Sequence, residues 1–107
     1  MGKHRQTKAC EIPKAVKVAV YERDGHACVL CGKHVEQFYA NAHFIPRSQG
    51  GLGVEENILT LCAYCHRMFD QTVLRSKIKE ALCRYLKSKH PGWHEQSLYY
   101  KKYEGMS

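Results

Sequence analysis

This chain predicts a small α+β domain, with short strands at its centre and helices on either side, and three observations carry that expectation. Its 107 residues suffice for one compact core and little more. Its apolar residues fall into short runs of two periods, helical towards each end and strand-like in the middle. Four of its six cysteines form two C-x-x-C pairs, Cys28 with Cys31 and Cys62 with Cys65, which bracket that middle.

In chain order, residues 1–11 read as a basic arm. Pro13 suits a first helical turn, and Val16, Val20 and Tyr21 share one apolar face until Asp24-Gly25 ends it, so residues 13–23 predict a helix. Gly25 to Gly32 is the turn that carries the first cysteine pair. Phe38 to Ile45 is strand-like and ends at Pro46. Arg47 to Gly53 is a loop whose three glycines permit close backbone approach to a ligand, or an unusual turn. Ile58 to Leu61 predicts a second strand or an extended turn. A helix then starts at Ala63 or Tyr64 and carries His66, Phe69 and Asp70. Leu74, Ile78, Leu82, Tyr85 and Leu86 mark a longer helix that Ser88 to Gly92 breaks. Lys77, Lys79, Arg84 and Lys87 lie away from that stripe, as a solvated face or as contacts to a nucleic-acid backbone. Trp93, Leu98, Tyr99, Tyr100 and Tyr103 predict a last short helix whose aromatics pack back on the domain.

Composition narrows the function classes. With 44% hydrophobic and 25% charged residues the chain is a folding one, and no apolar run approaches the roughly 18 residues of a membrane span. No apolar stretch follows the charges of the first eight residues, so the expectation is an intracellular protein without a membrane partner. The net charge of +7 points to an anionic partner, nucleic acid first. Its distribution is uneven. Residues 1–23 hold six basic against two acidic side chains and residues 72–103 eight against two, while residues 24–71 hold three against five. Two basic flanks that can hold a polyanion thus enclose a slightly acidic centre.

Two C-x-x-C pairs without a secretory leader read as a four-cysteine zinc site, because each pair directs two thiolates at one ion from a tight turn. A disulfide framework belongs to oxidising compartments, and a redox dithiol needs only one pair. Gly32 after the first pair suits the knuckle of a treble-clef zinc finger. Cys10 and Cys83 stand outside the set. Thirty residues separate Cys31 from Cys62, more than the roughly 15–20 of a zinc ribbon, so the insertion between them is where function is expected.

Read together, Arg23-Asp24-Gly25-x2-Cys28-x2-Cys31-Gly32, then Ala42-His43-Phe44-Ile45-Pro46-Arg47-Ser48-Gln49-Gly50-Gly51, then Asn57-Ile58-Leu59-x-Leu61-Cys62-x2-Cys65-His66, strongly resemble the HNH endonuclease family, the zinc-containing branch of the ββα-metal nucleases. The resemblance covers about residues 12–71. It implies a ββα-metal, treble-clef-like core stapled by the zinc, with flanking N- and C-terminal helices. The expected organisation is an arm at 1–11, a nuclease core at 12–71 and a basic helical extension at 72–107 packing on that core.

The resemblance also implies roles. His43 would be the general base that takes a proton from water, and His66 a ligand of one catalytic divalent cation (Mg2+, Mn2+, Ni2+ or Zn2+). Asn57 would hydrogen-bond across the glycine-rich loop and fix His43. Arg47 and Arg67, beside these residues, are expected to contact DNA phosphates. Many members carry Asp or His immediately before the general base as a second metal ligand, and here that position is Ala42. Asp70, one helical turn after His66, is the candidate replacement, or else a solvated helix residue. His4, His26, His34, His90 and His94 receive no role. The reading is a metal-dependent DNA endonuclease, with a zinc-stabilised DNA-binding or assembly module that has lost cleavage as the alternative. Small proteins of this layout occur in phages and mobile elements, which makes DNA-packaging or restriction proteins candidate partners.

Overall fold

The computed structural model describes residues 2–36, 41–71 and 73–100, with side chains from Gln6 onward. These residues form α1 (Gly2–Cys10), α2 (Lys14–Arg23), β1 (Asn41–His43), β2 (Ile58–Thr60), α3 (Ala63–Gln71) and α4 (Arg75–Lys89). Short 3-10 turns lie at Arg47–Gln49, Glu55–Asn57 and Glu95–Leu98. β1 and β2 pair antiparallel, with Asn41 opposite Thr60, Ala42 opposite Leu59 and His43 opposite Ile58. With α3 they make a ββα unit, so the small α+β class holds. No helix among the described residues is long and apolar enough to cross a membrane.

One core joins these elements: Phe44, Ile45, Leu59 and Leu61 from the strands and their ends, Phe69 from α3, Leu82 and Leu86 from α4, and Trp93 and Leu98 beyond it. Trp93 meets Phe44 edge-on, 5.6 Å between ring centres, and its indole N–H donates to the Glu56 carbonyl at 2.7 Å. Burying an aromatic of this size while satisfying its one polar atom gives the full apolar gain with no unpaired donor.

A buried ion pair ties three elements together. The Asp24 carboxylate, fully buried, accepts from Arg23 Nε at 2.7 Å, from the Thr60 amide at 2.8 Å and from the Tyr85 hydroxyl at 2.6 Å. Arg23 in turn donates to the Glu55 and Ile58 carbonyls, each at 2.7 Å. The end of α2 is thereby fastened to β2 and to α4.

Several expectations are corrected. Residues 1–11, read only as an arm, contain the helix α1. Pro13 caps α2 from outside instead of opening it. The expected strand from Phe38 has its first three residues outside the described set, and it ends at His43 because Asn57 takes over the next amides: Phe44 N–H donates to its carbonyl and Ile45 N–H to its Oδ1. Leu74 precedes α4 and is exposed, so the buried stripe starts at Ile78. Lys79 is not on a free face; it pairs with Glu95 at 3.1 Å. After Leu98 the chain is extended, because the Tyr100 amide donates to the Gly50 carbonyl and Leu98 accepts from the Leu52 amide. Tyr103 lies outside the described residues.

Candidate active site and metal centre

Four sulfurs converge where the 28–31 turn meets the start of α3. All lie within 4.8 Å of one another, and Cys31 Sγ is 3.7 Å from Cys62 Sγ. A tetrahedral ion about 2.3 Å from each of four thiolates places them about 3.8 Å apart, so the Cys31–Cys62 pair already stands at that spacing and the four sulfurs together could hold a zinc ion. The turn is shaped by its own backbone, Gly32 N–H to Cys28 O and Cys28 N–H to Lys33 O, both at 2.8 Å. Burial opposes ionisation of Cys28, but amides of Cys31, Cys62 and Leu30 aimed at its sulfur outweigh it and draw the thiol down to about 7. Cys65 is pushed up, by burial first and then by the crowding of the other sulfurs. Such a set sheds protons as it takes up a cation. Cys10 and Cys83 lie outside it.

A second site lies on the outer side of the ββα unit. A cleft of about 170 Å³ is lined by Asn41, His43, Pro46, Arg47, His66 and Asp70. His43 ends β1, and strand alternation puts Asn41 on its face while Ala42 points to the opposite one. His66 and Asp70 are one turn apart on α3, with Nε2 and Oδ2 separated by 3.2 Å. This is the spacing of a direct i,i+4 ion pair, and because two ligands at about 2.1 Å in neighbouring octahedral positions lie about 3.0 Å apart, the same two atoms could hold one small divalent cation in its place.

His43 Nε2 lies 2.9 Å from the Cys10 carbonyl at the end of α1. A carbonyl only accepts, so Nε2 carries the proton and the neutral ring keeps its lone pair on Nδ1. Burial lowers the pKa of His43; the Arg47 and His66 charges act the same way, while the Cys10 hydrogen bond opposes them. The ring is therefore a neutral proton acceptor at pH 7.

Asn57, fully buried, is bonded at both ends of its amide. Its Oδ1 accepts from Ile45 N–H at 2.8 Å, and its Nδ2 donates to the Ile45 carbonyl at 3.2 Å and the Leu52 carbonyl at 2.8 Å. It staples the two sides of the glycine-rich loop, two residues from His43. The close approach those glycines permit is to the chain itself: a Cβ on Gly51 would overlap the Ile45 carbonyl.

Of the residues expected at the site, His43, His66, Asp70 and Arg47 meet in the cleft, with Asn57 behind it. Arg67 is exposed and outside the cleft lining, since the residue after His66 on a helix is turned about 100° away. Two participants were not foreseen. Asn41 follows from period-two alternation once His43 is placed on a strand. Cys10 carries no such signal, because its contribution is a backbone carbonyl.

The family model described as HNH endonuclease matches residues 28–82, slightly more than half of the chain. No curated protein and no solved structure matches. That match spans both cysteine pairs, both strands, α3 and the first half of α4, and with the zinc-type cluster beside a ββα cleft it makes this chain a member of the HNH endonuclease family.

Proposed function

We propose that this protein is a metal-dependent DNA endonuclease that hydrolyses phosphodiester bonds at the cleft between β1 and α3. The observation that carries the reading is His43, neutral, with Nε2 held by a carbonyl and Nδ1 without a hydrogen bond among the described residues, in one cleft with the His66 and Asp70 pair. Nδ1 of His43 takes the proton of the attacking water, a step typically worth about 10²–10⁴-fold. His66 and Asp70, with Asn41 lining the same cleft, would hold a divalent cation, which when bound would stabilise the charge that develops on the phosphate and leaving oxygen. Arg47, exposed at the rim, pairs with a phosphate of the bound strand, and Arg67 contacts a more distant one. Asn57 acts through the loop backbone and does not touch substrate. Zinc on Cys28, Cys31, Cys62 and Cys65 would hold the 28–31 turn against the start of α3.

DNA as substrate fits the basic flanks, residues 1–23 and 72–103, around the slightly acidic centre at 24–71. The alternative, a zinc-stabilised DNA-binding or assembly module without cleavage, is favoured by one observation: Ala42 stands where a second ligand is expected and offers no donor. Plasmid nicking with Mg2+, Mn2+ or Ni2+ against EDTA decides between them. The nuclease reading expects cation-dependent cutting that His43→Ala removes while DNA binding stays. Binding without cutting under any of these cations supports the module, and cutting that survives His43→Ala refutes the role of the base.

A further inference from the structure

We infer that α1 is a working part of the catalytic site: the Cys10 carbonyl at its end positions the ring of His43, and Gly53 is the residue that lets this carbonyl reach it. The inference rests on His43 being the general base. It concerns a segment outside residues 28–82, where the family match lies. Three contacts converge on the end of α1. His43 Nε2 meets the Cys10 carbonyl at 2.9 Å. The Gly53 amide donates to the Ala9 carbonyl at 3.0 Å. A Cβ on Gly53 would overlap the Glu11 carbonyl and stand 3.1 Å from the Cys10 oxygen, so any side chain there pushes the end of α1 away.

The loop thus acts on His43 from two directions. Through Asn57 it fixes the backbone after the histidine, at Ile45. Through Gly53 it fixes the acceptor for the ring. Without that acceptor a histidine side chain on a strand end has no partner to hold its second torsion, and Nδ1 is aimed at the water only part of the time. Gln6, Thr7 and Cys10 of α1 also line, with Arg47, a hollow of about 330 Å³, and Arg47 lines the cleft as well, so the helix that holds His43 and the cleft meet at that side chain.

The test uses the full-length zinc-loaded protein and two substitutions that reach the carbonyl from opposite sides, Gly53→Ala from the loop and Ala9→Pro from within α1. In the absence of added catalytic cation, NMR reads exchange of the His43 ring N–H proton with solvent. Steady-state nicking gives kcat and KM separately, and zinc content with Trp93 fluorescence reports the fold. A slowly exchanging ring proton is expected in the wild type and a fast one in both variants. Zinc content should be unchanged, kcat should drop about 10- to 100-fold and KM should move little, as when a catalytic group is misplaced. Should Gly53→Ala fail to retain zinc, Ala9→Pro decides. Fast exchange in the wild type overturns the positioning role. Lost protection with unchanged kcat overturns it as well. A wild type that shows a protected proton but cuts no DNA overturns the nuclease reading, and with it the catalytic use of the contact.

Discussion

Ala42 stands opposite Leu59 across the β1–β2 pair, and both side chains lie in the core, 1% and 0% exposed. The position where the family resemblance leads one to expect a second metal ligand is thus filled by a methyl group packed among apolar neighbours. Ala42→Asp is expected to destabilise the fold by about 2–5 kcal/mol, the cost of burying an unpaired carboxyl or of repacking around it. Urea denaturation without divalent cation measures it, and an unchanged midpoint would show that the new carboxylate reaches the cleft instead.

Zinc removal should unfold the domain. A structural four-cysteine site contributes apparent binding free energy of about 10–16 kcal/mol, comparable to or larger than the whole stability of a domain of this size. Metal analysis should find one zinc per chain, Cys62→Ala should lose both zinc and cooperative unfolding, and Cys10→Ser should keep the metal. A folded, zinc-free Cys62→Ala protein would falsify the structural role.

The pH profile follows from His43. Its pKa is lowered, by burial first and by the Arg47 charge next, so the base stays deprotonated below the ordinary histidine value of about 6.5. Activity should hold as pH falls past 6.5 and decline only through the lower folded value. The same shift makes the unfolded chain bind more protons in that window. The stability it contributes is therefore complete above about pH 6.5 and is lost as pH falls from there to the folded value. An acid limb at or above 6.5 would assign the titration to another group.

Asp24 illustrates what the sequence could and could not convey. As Asp24-Gly25 it marks the end of α2, and that is correct. Its carboxylate also accepts from Tyr85, 61 residues later, and from the Thr60 amide, and no local pattern encodes partners at that separation. Asp24→Ala should cost about 3–5 kcal/mol, because it strands the largely buried Arg23 charge, whereas Tyr85→Phe should cost about 1 kcal/mol; thermal or urea unfolding separates them.

The same division runs through the site. The cysteine set, β2, α3 and the His66 with Asp70 spacing were legible because each is a short-range pattern whose geometry is fixed by the turn, strand or helix that carries it. The α1 helix was not, since its residues have no apolar stripe and its role at His43 is played by a main-chain oxygen. Arg67 was placed by adjacency to His66, and helical rotation carries it elsewhere. The C-terminal aromatics read as a helix, but the Tyr100 amide donates to Gly50 and the Leu98 carbonyl accepts from Leu52, so the glycine-rich loop holds this segment extended.

The cation site gives the last prediction. If His66 and Asp70 hold the ion and Asn41 contributes an oxygen from the facing strand, the three variants should rank. His66→Ala removes the nitrogen donor and should raise the cation concentration for half-maximal nicking most. Asp70→Ala removes the only carboxylate that lines the cleft among the described residues and should raise it by about 10- to 100-fold, the usual range for groups that support a metal site. Asn41→Ala loses a neutral amide oxygen, a weaker ligand than a carboxylate, and should raise it least. Calorimetric titration of Mn2+ into the zinc-loaded protein reads the same order without relying on cleavage. If Asp70→Ala titrates like the parent, Asp70 is a helix-surface partner of His66 and the ion is held by His66 with groups outside this pair.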